Sequence, residues 1–206
     1  MPTSEQKAWD ALARLDPAGV CARAPCAFDR ASRVYTLESF GQSISLSLSD
    51  RVFSSPAPLG SFILSEFKEN AEFSFLSYLL SAKNTPLSGR LVKPGALPGG
   101  DIYERGTHRL PLDRLAQSYS GDPAGLLQKA RMFGAAPLSF GDAAARLFPL
   151  PRLPVVIILH AAGDEFPARA DLLLDSTCTD HLPLDAIWST AVMTVLLMVL
   201  AAPPPA

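Results

Sequence analysis

Five consecutive aliphatic residues, Val155, Val156, Ile157, Ile158 and Leu159, constrain this chain more than any other segment. An unbroken β-branched and aliphatic run of this length marks a strand covered on both faces. Ala161, Ala162, Gly163 and Asp164 follow and supply small, turn-prone residues. From Phe166 the pattern alternates. Phe166, Ala168, Ala170, Leu172 and Leu174 point one way, while Pro167, Arg169, Asp171 and Asp175 point the other, with Leu173 the exception. A period of two means one dry face and one mostly wet face. Pro167 cannot donate to a ladder, so this strand lies at an edge or only begins there. The expectation is a β-hairpin.

The rest of the chain reads as mixed helix and strand. A helix is expected over residues 4–15, where Thr3 and Gln6 have capping-box spacing and Asp16-Pro17 marks the stop. Residues 33–37, 43–49 and 52–53 suggest an antiparallel meander turning at Gly41-Gln42, closed off by Pro56 and Pro58. A helix over 66–82 would bury Phe73, Leu76, Leu79 and Leu80, with Asn84-Thr85-Pro86 ending it. Residues 90–93 suggest a short strand before a loop rich in Gly and Pro. Residues 111–119 suggest a short helix, and Asp122-Pro123 caps another that Gly134 closes. The last helix starts at Pro183, with Asp185 in its first turn. Residues 186–202 carry no charge. That is short of the roughly 20 residues usual for a bilayer span, so a core helix is expected, with a membrane or partner tail as the alternative.

At 206 residues the chain fits one domain with a sizeable core. Charged residues are 18%, below the usual quarter, and the net charge of −2 argues against a nucleic-acid partner. The fold expectation is a single α+β domain over residues 1–206. It has a mainly antiparallel sheet, strands from residues 33–53 and 155–174, helices packed on one face and an apolar C-terminal helix. The N-terminus shows no basic region leading into an apolar core, so no secretory leader is expected. Cys21, Cys26 and Cys178 cannot all pair. They lack both a four-ligand zinc pattern and a C-x-x-C, so free thiols in a reducing cytoplasm are expected.

Candidate chemistry centres on the scarce histidines. His108 sits beside Glu104, Arg105 and Arg109, where it could act as a general acid or base or ligate a metal or tetrapyrrole iron. Its ordinary role would be to hydrogen-bond the loop backbone. His160 ends the buried strand just before Asp164 and Glu165, and a carboxylate across the hairpin could orient it. His181 would cap the last helix. Glu165 is the carboxylate candidate, and its ordinary role is solvation or an ion pair with Arg169. Backbone N–H groups at Gly99 and Gly100 could hold an anion, assisted by Arg105 and Arg109. No metal-ligand spacing is present, so no metal site is expected.

The strings LPGGDIYERGTHRLP (97–111), GDAAARLFPLPRLPVVIILHAAGDEFPARADLLLDST (141–177) and DHLPLDAIW (180–188) resemble a prokaryotic family catalogued as domain of unknown function family 3786. DPAGV (16–20) and FDRASRVYTLESFG (28–41) are similar to that family's opening. The resemblance implies an origin in anaerobic bacteria or archaea, where some members carry an added iron–sulfur domain with four cysteines. Three functional expectations follow. One is an accessory or ligand-binding domain in anaerobic cofactor metabolism, handling a corrinoid, haem or iron–sulfur protein partner, with loop 97–109 and turn 160–165 as its polar rim. The second is an enzyme using His108 with Asp101, Glu104 or Glu165. The third is an interaction protein docking through its C-terminal helix.

Overall fold

The computed structural model describes residues 3–103 and 109–201. The N-terminal helix α1 (Ser4–Arg14) is capped as its spacing implies. Thr3 Oγ1 accepts from the Gln6 amide at 3.1 Å, and Gln6 Oε1 accepts from the Thr3 amide at 2.9 Å. Asp16 does more than end this helix. Its carboxylate accepts from the Gly19 amide and starts α2 (Pro17–Arg23).

The meander follows as β1 (Ala27–Asp29), β2 (Val34–Ser39), β3 (Gln42–Ser47) and β4 (Val52–Ser54), paired antiparallel in that order. Tyr35 opposes Leu46 and Leu37 opposes Ile44, and all four are buried. The β2–β3 turn is Phe40-Gly41, one residue earlier than the sequence suggests. Both residues have positive φ, 51° and 68°, as a two-residue type I′ hairpin requires. Phe40 tolerates that backbone because its ring is buried edge-on to Phe133 and its amide donates to Phe148 O at 2.7 Å.

The single helix expected over 66–82 is two helices, α3 (Pro58–Glu66) and α4 (Lys68–Ser81). Pro58 begins α3 rather than closing the strands, because proline suits a first helical turn. Phe67 leaves helical geometry and is buried at the elbow. The inward face of α4 carries Ala71, Phe75, Leu76, Tyr78 and Leu79, whereas Phe73 is exposed.

The second sheet has the order β5-β9-β8-β7-β6, all antiparallel: β5 (Leu91–Val92), β6 (Ala136–Leu138), β7 (Ala143–Leu150), β8 (Leu153–His160) and β9 (Arg169–Asp175). The β8–β9 hairpin is the one legible in the sequence, closed by the pair His160–Arg169. Its second strand begins later than the alternation suggests, and Phe166 is 73% exposed. Pro167 therefore lies outside the ladder. Strands β6 and β7 lack an expectation from sequence. An alanine run and Pro149 give weak β signals, and the proline sits at a register shift between Leu147 and Leu150.

Three helices complete the domain: α5 (Leu112–Ser118), α6 (Pro123–Met132) and α7 (Leu184–Val199). One face of the larger sheet, with Ala145, Leu147, Val155, Ile157, Leu159, Leu172 and Leu174, joins the main core together with α7. The opposite face forms a small separate cluster of Ala144, Val156 and Ile158 to which no helix contributes. The protein is thus an α+β domain in which α5, α6 and α7 pack against the larger sheet, while α2 and α3 pack against the meander. Helix α7 is a core element, and ten of its residues are buried. Among the described residues no helix is long and apolar enough to cross a membrane.

The β2–β3 turn meets the turn between α6 and β6 at a pair of glycines. A Cβ on either Gly41 or Gly134 would lie 3.2 Å from the other's Cα, and both have φ of +68°. A side chain there must accept both a left-handed backbone and a tight contact. Gly134→Ala is expected to lower stability by about 1–3 kcal/mol. An unchanged urea midpoint would show that the junction relaxes.

Candidate functional site

A grouping of charged side chains open to solvent lies where the ladder of β9 loses its outer partner. Strand β5 pairs only with Leu174 and Asp175, and then Pro94 turns the chain away. Among the described residues, the outer edge of β9 before Leu174 is unpaired. A cleft of about 340 Å³ occupies this space, floored by Ala170, Asp171 and Leu172.

Asp171 is the hub of the cleft. Lys93, which follows β5, places Nζ 2.9 Å from Asp171 Oδ1. His160 Nε2 approaches Asp171 Oδ2 at 3.8 Å across the diagonal of the β8–β9 pair. Arg109, which also lines the cleft, places Nη2 3.0 Å from Asp113 Oδ2, one turn along the start of α5. Tyr103 lines the cleft as well. Its hydroxyl donates to Leu184 O, and burial raises its pKa. The cleft therefore holds two cations and two carboxylates over a partly apolar floor.

The residues singled out in the sequence fall around this cleft unevenly. His108, Arg105 and Glu104 lie outside the described residues. Gly99 and Gly100 shape the turn that carries Tyr103 to the cleft. Gly99 has φ of +75°, and a Cβ on Gly100 would fall 2.0 Å from Pro94 O. The Gly100 amide already donates to Leu97 O at 2.8 Å. His160 lines a neighbouring hollow with Ala161, Phe166, Pro167 and Arg169. Asp164 and Glu165 are exposed at the hairpin tip, and the carboxylate beside His160 is Asp171. Arg109, expected to assist in holding an anion, does line the cleft, whereas Lys93 and Asp171 gave only the signal of solvated charge. Their meeting depends on contacts between segments 78 residues apart.

Two buried polar groups depart from their expected places, Asp175 from the wet face of the alternating strand and His181 from the cap of the last helix. Asp175, expected on the wet face, is 2% exposed. Its carboxylate accepts from the amides of Ser88, Gly89 and Thr177 and from the hydroxyls of Ser88 and Thr177, at 2.7–3.1 Å. Burial alone would raise its pKa, but these donors outweigh burial and bring it down to about 2. His181 does not cap the last helix, whose N-cap is Pro183; it closes a short 3-10 turn, its amide donating to Cys178 O. It is fully buried, and among the described residues neither ring nitrogen has a hydrogen-bond partner. Burial, reinforced by the nearby Arg152 guanidinium, lowers its pKa. Among the described residues no group of three or more His, Cys, Asp or Glu side chains could hold a metal ion.

Comparison with known families gives one match. The sequence model of a family described as Domain of unknown function (DUF3786) matches residues 16–196. The chain belongs to the DUF3786 family. The matched span contains the β8–β9 hairpin, Lys93, Arg109, Asp113 and Asp171, so the cleft lies within the family domain. No curated protein and no solved structure matches the chain.

These two buried groups each give the fold an acid-sensitive contribution. For His181 the folded pKa lies below 6.5, so the unfolded chain binds the extra proton. Its contribution is whole above about pH 6.5 and is lost as the pH falls from there. For Asp175 the folded value is about 2 against 3.8 unfolded, so its contribution is lost between about pH 4 and pH 2. Urea midpoints measured against pH should decline in these two windows. His181→Leu should flatten the first. Asp175→Asn should flatten the second and cost about 2 kcal/mol at neutral pH. Unchanged slopes in the variants would place the acid sensitivity elsewhere.

Proposed function

We propose that this protein is a ligand-binding accessory domain whose site is the cleft beside β9, and that the ligand is a small carboxylate- or phosphate-bearing molecule. One observation carries the reading. Lys93 and Arg109 both line a single cleft, with side chains 63% and 67% exposed. Each is held by a carboxylate in a solvent-facing pair, an interaction worth about 0–1 kcal/mol. An anionic ligand can therefore take over these cations at little cost. Arg109 offers the two-pronged donor geometry suited to carboxylate or phosphate, and Lys93 adds a point charge. Pro94, Leu110 and Leu112 supply apolar contact for the remainder of the ligand.

The size of the cleft narrows the class. About 340 Å³ falls at the low end of the 300–1,000 Å³ usual for small-molecule sites, which favours a metabolite over a macrocycle. The resemblance-based reading of a role in anaerobic cofactor metabolism fits this picture only if a corrinoid, haem or iron–sulfur group resides on a partner protein. The pair His160–Asp171 supports a second reading, general acid–base catalysis, since a carboxylate orienting an imidazole is the usual arrangement for it.

A thermal-denaturation screen against small mono- and dicarboxylates and phosphates would test the proposal. A true ligand at a hundred times its Kd should stabilise the fold by about 2.7 kcal/mol. For a domain of this size that is a rise of roughly 5–10 °C in Tm. Lys93→Ala and Arg109→Ala should each abolish the rise while leaving the ligand-free Tm within a few degrees. No shift with any anion, or an equal shift in both variants, would remove the cleft as the site.

A further inference from the structure

The thiols of Cys21 and Cys26 lie in sulfur–sulfur contact at 3.3 Å. Cys21 sits in the last turn of α2, and Cys26 stands just ahead of β1. Both are partly exposed, whereas Cys178 is 1% exposed. Neither thiol is on a loose loop. Between them, Arg23 donates to Leu79 O at 2.7 Å and Ala82 O at 2.9 Å, which ties the end of α2 to the end of α4. Beyond them, the Phe28 and Tyr35 rings pack with centroids 4.5 Å apart and hold the start of β1 on β2. The sulfurs are thus presented to each other from two anchored ends. A disulfide needs them at about 2.05 Å, an approach of roughly 1.3 Å.

From this contact we infer that Cys21 and Cys26 form a reversible intramolecular disulfide, a two-electron thiol–disulfide centre that exchanges with low-molecular-weight disulfides of the glutathione class. The centre is distinct from the cleft beside β9 and does not depend on that reading. The Cys26 thiol donates to the Cys21 sulfur. Burial, followed by this hydrogen bond, raises the pKa of Cys26. Cys26 therefore stays protonated while Cys21 serves as the entering nucleophile. The Cys21 thiolate attacks one sulfur of the small disulfide, the old S–S bond breaks, and one small thiolate leaves with the electron pair. Cys26 then gives its proton to solvent and attacks the Cys21 sulfur of the mixed disulfide, which expels the second small thiolate. Both leaving thiolates take up a proton. Two cysteine thiols are oxidised and one small disulfide is reduced to two thiols.

A third ligand would turn the pair into a metal site, but no cluster of three ligating side chains occurs among the described residues. The test is to equilibrate the full chain in graded mixtures of reduced and oxidised glutathione, quench with acid, alkylate, and map the peptides by mass. The expected product is lighter by two hydrogens and cross-linked between Cys21 and Cys26, with two of the three cysteines lost to alkylation along one titration curve. Cys178→Ser should titrate as the natural protein does. Cys26→Ser should stop at Cys21 carrying one glutathionyl group, the mixed disulfide that the second thiol normally resolves. The inference is overturned if both cysteines of the natural protein remain alkylatable in fully oxidised glutathione. It is equally overturned if each carries its own glutathionyl group, or if a metal ion retained on purification protects both thiols.

Discussion

A helix with no polar face must be covered on every side, and that requirement on α7 arranges the rest of the domain. Its sixteen residues contain one charge, Asp185, placed in the first turn where the helix dipole favours it. One side of α7 packs with the larger sheet in the main core, and α4 covers another. The threonines inside it satisfy their own hydroxyls, since Thr190 and Thr194 each donate to the carbonyl four residues back at 2.7 Å. Its carbonyl end is closed from outside. Tyr119 donates to Met198 O, and Lys129 donates to Leu200 O. Helices α5 and α6 therefore serve as the coat and the cap of α7 as well as elements in their own right.

Local chemistry was legible in the sequence wherever a residue acts on its own neighbours. Thr3 with Gln6, Asp122 before Pro123, and Gly134 after Phe133 all perform the capping and stopping roles their types imply. The β8–β9 hairpin was legible for the same reason, since an aliphatic run followed by alternation has few other solutions. What failed depended on distant partners. The elbow at Phe67 has no Gly or Pro to announce it, and burial of the ring stabilises it. Asp175 looked solvated because its five donors come from two loops, one of them 86 residues away. Of the candidate site, the glycine turn, Arg109 and His160 could be found from sequence. The grouping of Lys93, Asp171 and Arg109 could not, because isolated charges most often face water.

The cleft and the thiol pair occupy opposite kinds of place in the fold. The cleft exists because a sheet ends early, where a proline diverts β5 after two residues and leaves the edge of β9 open. Its polar groups sit in weak, exchangeable pairs, the condition for a ligand to compete with them. The thiols are held in an over-determined joint, anchored by Arg23 on one side and stacked rings on the other. A joint of that kind leaves chemistry between the sulfurs as its main freedom.

The backbone contact between Gly41 and Gly134 also limits how the sequence can drift. The two positions share one small volume although they lie far apart in the chain. The first side chain added at either would displace the neighbouring backbone, and a second at the other would enter a space already disturbed. Penalties at the two sites should therefore combine non-additively. Selection acting on one position would be felt at the other, which makes the pair a source of epistasis linking the meander to the larger sheet.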